Sequence, residues 1–309
     1  MKKRFLIDTD TAADDAVALI MAFRHPEVEI EAITVVAGNV PVDQAVQNAL
    51  FLTELCGKQI PVYRGAAKPM LRELETAQFV HGKDGLSDIG LDLQGRQGTP
   101  GNAIDAIIQA IEAFPHEIEL VTLGPLTNIA IALLKEPSIA EKVKCCTLMG
   151  GVGSGYGNIT PVSEYNIWVD PEAAQIVFRS GMHIKMVGWD MSRNHAFFTD
   201  EDIAALRALN TPMAHFVVDI QKAPYAFTSS VSKIPGFELP DPIAMAVALD
   251  PEVATVVQSM YAEVICGEGL TRGQTVMDHA GAFADRPGIE VVLEASRERF
   301  LKLLYEAVR

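Results

Sequence analysis

The chain has 309 residues, 49% of them apolar, and its 40 acidic against 25 basic side chains give a formal net charge of −15. With no Lys/Arg-rich stretch to offset that surplus, a phosphate backbone or an anionic membrane surface is excluded as partner, and a small uncharged substrate fits better. Four cysteines (Cys56, Cys145, Cys146, Cys266) without CxxC or zinc spacing read as reduced core thiols.

The opening "MKKRF" is basic, but Asp8 breaks the apolar run after it, so neither a signal-peptide core nor a membrane span is expected and the location is read as cytoplasmic. A strand over 4–8 is followed by "TDTAADDAVALI", which places Asp8, Asp10, Asp14 and Asp15 within eight positions. Asp14 and Asp15 open a helix, where carboxylates favour the positive end. Four acids so close ask for more, and a hard cation with oxygen ligands would cancel their repulsion. The run is not an EF-hand loop: counting from Asp8, the required Gly is Ala13 and the required Glu is Leu19. A haloacid-dehalogenase-like Mg²⁺ phosphatase also begins with a strand and D-x-D-x-[TV], but here the last position is Ala12. It is kept as a distant alternative.

Further along, strands are expected over 30–37, 60–64, 118–123, 144–149, 184–189 and 288–294, and helices over 42–56, 102–114, 125–135, 171–180 and 200–209. The stretches 66–100 and 222–240 read as long irregular segments of the binding-loop kind. Alternating β and α with continuously apolar strands predicts an α/β fold, a mainly parallel sheet with helices on both faces, and one domain over 1–309. Ligands of such sheets bind beyond the carboxyl ends of the strands. Asp10, Asn39, Gly124 and a glycine-rich loop after 149 fall in those places. The loop's glycine spacing fits neither GxGxxG nor a P-loop. Its Asn158, Glu164 and Asn166 suit hydroxyl groups, as of a sugar or polyol. Asp241, before an apolar helix, reads alone as an N-cap. His195, His215 and His279 are isolated, so no transition metal is assigned.

"DTDTAADDAVAL", "VAGN", "VHGKDGL", "TLGPLTNIA", "LMGG" to "EYNIWVDPEAA" and "PDPIAMAVALDP", in this order across nearly the whole chain, resemble the inosine-uridine-type nucleoside hydrolases. The resemblance implies a Rossmann-like fold and hydrolysis of ribonucleosides to ribose and free base, in a homodimer or homotetramer. It implies Ca²⁺ held by Asp10, Asp15, Asp241 and the carbonyl of Leu123. Asp14 and Asn166 would bind the ribose 2′ and 3′ hydroxyls that complete the metal shell, with Asp241 contributing to both sets. Asn158 and Glu164 would hold the 5′ hydroxyl, Asn39 would order the reacting water, and Asp10 would also take its proton. The chemistry is coherent: an oxocarbenium-like ribosyl cation needs a delivered water, nearby negative charge and a departing base.

One position departs from the pattern. Many members carry a histidine immediately before the acid matching Asp241, proposed to protonate the leaving base, and here Pro240 stands there. His81 in "VHGKDGL" is then the catalytic candidate among the histidines, beside a loop-ordering role. A tryptophan sandwich has only Trp168 and Trp189 to draw on, with Gly82 where one would be expected, and Tyr156, Tyr165, Tyr225 and Phe227 are further candidates for base contacts. Pro240 keeps open a catalytically weak ribosyl-compound binder or a hydrolase of modified nucleosides.

Overall fold

The structure, a computed structural model, describes residues 2–309. Its strands, in chain order, are β1 (Lys3–Thr9), β2 (Val28–Val35), β3 (Val62–Arg64), β4 (Ile118–Thr122), β5 (Cys145–Met149), β6 (Ile184–Val187), β7 (Phe197–Phe198), β8 (Phe237–Glu238), β9 (Ala254–Met260), β10 (Ala262–Val264), β11 (Thr275–Met277) and β12 (Ile289–Ala295). Eight of them make one sheet in the order β3-β2-β1-β4-β5-β6-β12-β9, while β7 pairs with β8 and β10 with β11 as small ribbons. Every neighbour in the large sheet is parallel except β12 with β9. The strands alternate between two cores. In β1, Phe5 and Ile7 join one apolar cluster and Leu6 the other, as a sheet covered on both faces requires.

Strand order reverses between β1 and β4, so the chain leaves these two neighbouring strands in opposite directions and opens a crevice beyond their carboxyl ends. The helix Ala13–Arg24 starts there and is buried along all but its last residue, because "ADDAVALIMAF" offers no polar face outside its first turn. It packs against the equally buried helix Pro240–Leu249. That contact sets Asp241 beside Asp14 and Asp15, although they stand at opposite ends of the sequence.

Two expectations need correction. The segment 222–240, read as irregular, holds the helix Lys222–Ser232 and strand β8. Pro224 and a run of serines hide it, yet proline is tolerated in a first turn, where its missing N–H has no helical partner to lose. The strand expected over 184–189 stops at Val187, and Gly188 caps a helix, Trp189–His195. Segment 66–100 is irregular as expected except for the one-turn helix Gln78–His81.

Candidate active site

Asp10 follows the end of β1 in a turn under strain: Thr11, a β-branched residue, has φ 23°. The turn is held by the Thr11 N–H donating to Thr9 Oγ1 at 3.1 Å and by Asn48 Nδ2 donating to the Thr11 carbonyl at 2.9 Å. One oxygen of Asp10 accepts the backbone N–H of Asn39 at 2.5 Å, and the other is buried without a partner. Two strand ends press on this carboxylate. A Cβ on Gly38 would overlap Asp10 Oδ2, and one on Gly124 would come within 2.9 Å of Asp10 Oδ1.

Asp15 accepts from Thr9 Oγ1 at 2.5 Å and from the Ala12 N–H at 2.9 Å. Asp14 Oδ1 has no hydrogen-bond partner and lies 3.8 Å from His81 Nδ1. Oxygens of Asp14, Asp15 and Asp241 all lie within 4.8 Å of one another. Burial raises Asp14 and Asp15 to about 6, with Asp14's charge adding to the effect on Asp15. Burial, then the charge of Asp15, pushes Asp10 and Asp241 well above the usual carboxylate range. Such carboxylates cannot all be ionised together in a dry site unless a cation joins them. The donor set is all oxygen, so a hard cation of the calcium or magnesium class fits these residues. Asp8 stands apart. Its Oδ2 accepts from Thr34 Oγ1 at 2.6 Å and Asn128 Nδ2 at 2.8 Å, which ties neighbouring elements together.

Above the acids lies a cavity of about 240 Å³. It brings together Asp14, Asn39, His81, Leu123, Asn158, Glu164, Asn166 and Asp241 in its wall, while Asp10 and Asp15 are fully buried behind it. The Leu123 carbonyl accepts from Asn166 Nδ2 at 2.8 Å. Glu164 caps the short helix Tyr165–Val169, and its oxygens take the N–H groups of Asn166 at 2.7 Å, Gly151 at 2.8 Å and Ile167 at 3.2 Å. Asn158 Oδ1 accepts the Tyr165 N–H at 2.9 Å. Both side chains therefore shape the glycine loop as well as facing the cavity. Burial raises Glu164 to about 7 and lowers His81 to about 4, so the imidazole is neutral at neutral pH.

Another side of the wall is apolar or aromatic, from Phe79 and Val80 on one short helix and Pro224, Phe227 and Val231 on the helix Lys222–Ser232, with Phe79 and Phe227 ring centroids 5.6 Å apart. Pro240 lines it too, as do Trp189, Tyr156 and Tyr165. Tyr225 is elsewhere, its hydroxyl donating to Asp200, and Trp168 packs under Arg272. Asp190 anchors the glycine loop by accepting the N–H groups of Gly153 and Ser154. Sequence reasoning missed Gln221, Arg193 and Glu238 in the wall. Pro224, Phe227 and Val231 recur at helical spacing, which was the available signal for this side. Arg193 Nη1 donates to Glu238 Oε1, and Thr228 Oγ1 to Glu238 Oε2, both at 2.9 Å.

Residues 5–302 match the family model described as inosine-uridine preferring nucleoside hydrolase. The chain is 36% identical over 279 residues to a probable uridine nucleosidase 1 of Oryza sativa subsp. japonica, covering 90% of this chain and 85% of that one. It is 35% identical over 306 residues to the pyrimidine-specific ribonucleoside hydrolase RihA of Salmonella schwarzengrund, covering 98% and 97%. Among solved structures, a plant nucleoside hydrolase superposes with TM-score 0.94 at 32% identity, over 100% of this chain and 99% of that one. A purine-preferring ribonucleoside hydrolase from Gardnerella vaginalis gives 0.91, also at 32% identity, over 99% and 98%. No helix among the described residues is long and apolar enough to cross a membrane.

Proposed function

The chain belongs to the inosine-uridine preferring nucleoside hydrolase family, enzymes that hydrolyse the N-glycosidic bond of ribonucleosides, and from that premise we propose a calcium-dependent reaction in which Asp10 takes the proton of the attacking water. The observation that carries this reading is the cluster of Asp14, Asp15 and Asp241 oxygens below the cavity, with two buried, unpartnered oxygens, Asp14 Oδ1 within it and Asp10 Oδ1 next to it. Asp10, Asp15, Asp241 and the Leu123 carbonyl would hold the ion. Bound calcium would supply a fixed positive charge that orients ribose hydroxyls and lowers the pKa of water.

The chain's own groups do the rest. The Asn39 N–H fixes one oxygen of Asp10, which leaves the other free to accept a proton, and the Asn39 side chain faces the cavity to steady the water. Asp14 accepts from the 2′ hydroxyl and Asn166 binds the 3′ hydroxyl. Asn158 and Glu164 close over the 5′ hydroxyl from the glycine loop. Clamping the sugar in this way pre-orients the anomeric carbon, and the surrounding carboxylates favour its developing positive charge. The family membership leaves the phosphotransferase alternative without support. A cytoplasmic homodimer or homotetramer completes the reading, and analytical ultracentrifugation tests the assembly.

Pro240 favours a second reading at the leaving group. It lines the cavity and offers no proton, and His81 is neutral at neutral pH. His81 can donate a hydrogen bond to the departing base, but bases that leave readily, such as those of modified nucleosides, need less help. A reducing-sugar assay over purine and pyrimidine ribonucleosides, with and without chelator, tests the main reading. Ribose release that chelator and Asp10→Asn both abolish is the expected result. Tight binding without turnover, or phosphate release from phosphate esters, would overturn it.

A further inference from the structure

Gln221 stands immediately before the helix Lys222–Ser232, is 1% exposed and lines the cavity. Its amide cannot be flipped at no cost. Nε2 donates to the Ala13 carbonyl at 2.8 Å, and a carbonyl accepts only, so the NH₂ group must face Ala13 and Oε1 must face away. That oxygen is buried and has no hydrogen-bond partner. The backbone around it is fixed as well. Ser87 Oγ donates to the Ile220 carbonyl at 2.5 Å and accepts the Ala223 N–H at 2.9 Å, so residues on both sides of Gln221 are tied to one hydroxyl. A buried acceptor without a donor carries a desolvation penalty that a protein normally avoids. Here it is held rigidly in the wall of a substrate cavity, one residue along from Asp14 through the Ala13 tether. The other unpartnered polar atoms of this wall, Asp14 Oδ1 and His81 Nδ1, lie 3.8 Å apart, too far for a hydrogen bond, and the proposed reaction gives each a partner in the substrate. Gln221 Oε1 is left over.

We propose that Gln221 is a specificity-determining residue whose fixed side-chain carbonyl accepts a hydrogen bond from the nucleoside, given by a base N–H or by the ribose 2′ hydroxyl. This rests on the hydrolase reading above. A neutral acceptor suits the place, since a further carboxylate would add to the repulsion among the acids and a donor would compete with the substrate for Asp14. Substrates that lack the donor leave Oε1 unsatisfied in the complex, and discrimination of this kind is larger than a methylene in an apolar pocket can supply.

The test compares wild type with Gln221→Leu and Gln221→Met on three ligands. Uridine and 3-methyluridine, which lacks the base N–H, are read by kcat/KM, and 2′-deoxyuridine is read as a competitive inhibitor. Each variant should lose about 10- to 100-fold on uridine. If the loss vanishes on 3-methyluridine, the donor is the base N–H. If 3-methyluridine suffers the same loss while the inhibition constant of 2′-deoxyuridine is unchanged, the donor is the 2′ hydroxyl. Equal losses on all three overturn the proposal and leave the amide as a tether for Ala13 alone. Circular dichroism gives the folded fraction by which kcat/KM is corrected, because an unfolded fraction lowers both rates and leaves the inhibition constant untouched. A wild-type enzyme that releases no ribose from any ribonucleoside overturns the hydrolase reading first, a result distinct from equal losses in an active enzyme.

Discussion

Removing the metal should destabilise the protein, and should do so more as pH rises. Asp14 and Asp15 titrate at about 6 in the folded, metal-free chain, above their usual value of 3.8, because burial disfavours their charged forms. A folded-state pKa above the unfolded one means that the native state holds protons the unfolded chain has released, so its contribution is complete below pH 4 and is lost as pH passes 6. A rise of about two units is about 3 kcal/mol for one such group between pH 4 and 7, a loss to which Asp8 and Glu164, also raised by burial, add and which His81, lowered by burial, opposes. For a chain of 309 residues a loss of that size lowers the melting temperature by about 5 °C. Calcium replaces the missing protons and should recover most of it at pH 7.5 and little at pH 5. Differential scanning calorimetry on chelated protein, titrated with calcium at both pH values, measures the difference. A chelated melting temperature that is flat or rising from pH 5 to 7, or a calcium effect of equal size at both, would refute the electrostatic account of the cluster.

Gly124→Ala should displace Asp10, since the added Cβ would lie 2.9 Å from its free oxygen and 3.0 Å from its backbone nitrogen. A shift of a fraction of an ångström at this group should cost about 10²-fold in kcat, with KM changed little. Steady-state kinetics on uridine decides, and an unchanged kcat would argue against Asp10 as the base. Deoxyuridine should react on the order of 10⁴-fold more slowly than uridine, because Asp14 is left without its hydroxyl partner; comparable rates would remove Asp14 from the ribose site. Asn128→Leu takes one of two donors from the buried Asp8 and also the acceptor of the Ala66 N–H. Urea denaturation should show a loss of about 2 to 3 kcal/mol, and a change below about 0.5 kcal/mol would mean that Asp8 finds another partner.

The parallel sheet was legible because its strands are short, apolar and separated by helix-period segments, a pattern local enough to read residue by residue. The acids at the end of β1 were legible as a cation site for the same reason: repulsion over eight positions is a local fact. Asp241 was not. On its own it reads as a helix cap, and it reaches the acids only because two helices without a polar face, Ala13–Arg24 and Pro240–Leu249, must bury against each other. Only the family resemblance pointed to it. The helix Lys222–Ser232 was obscured by Pro224 and its serines, so the wall it builds stayed hidden. Gln221 belongs to no motif. What marks it is an oxygen without a partner, a property of three-dimensional packing. Glu164 shows the converse, a side chain singled out as a hydroxyl ligand whose oxygens also hold up the loop around it.

The cavity is built from two kinds of material. Its acidic floor hangs from strand ends and from the buried first turns of two core helices, so any movement there must disturb the core. Its apolar wall comes from short helices with outward-facing side chains, Phe79 being 60% and Val231 65% exposed. The two meet at the Gln221–Ala13 hydrogen bond, and beyond that tether the outer residues of the wall face solvent rather than the core. On the proposed reading, exposed wall residues such as Phe79 and Val231 can be exchanged for others of different size or polarity while the ribose end keeps its geometry, which makes this face the place to redirect the enzyme to new nucleobases.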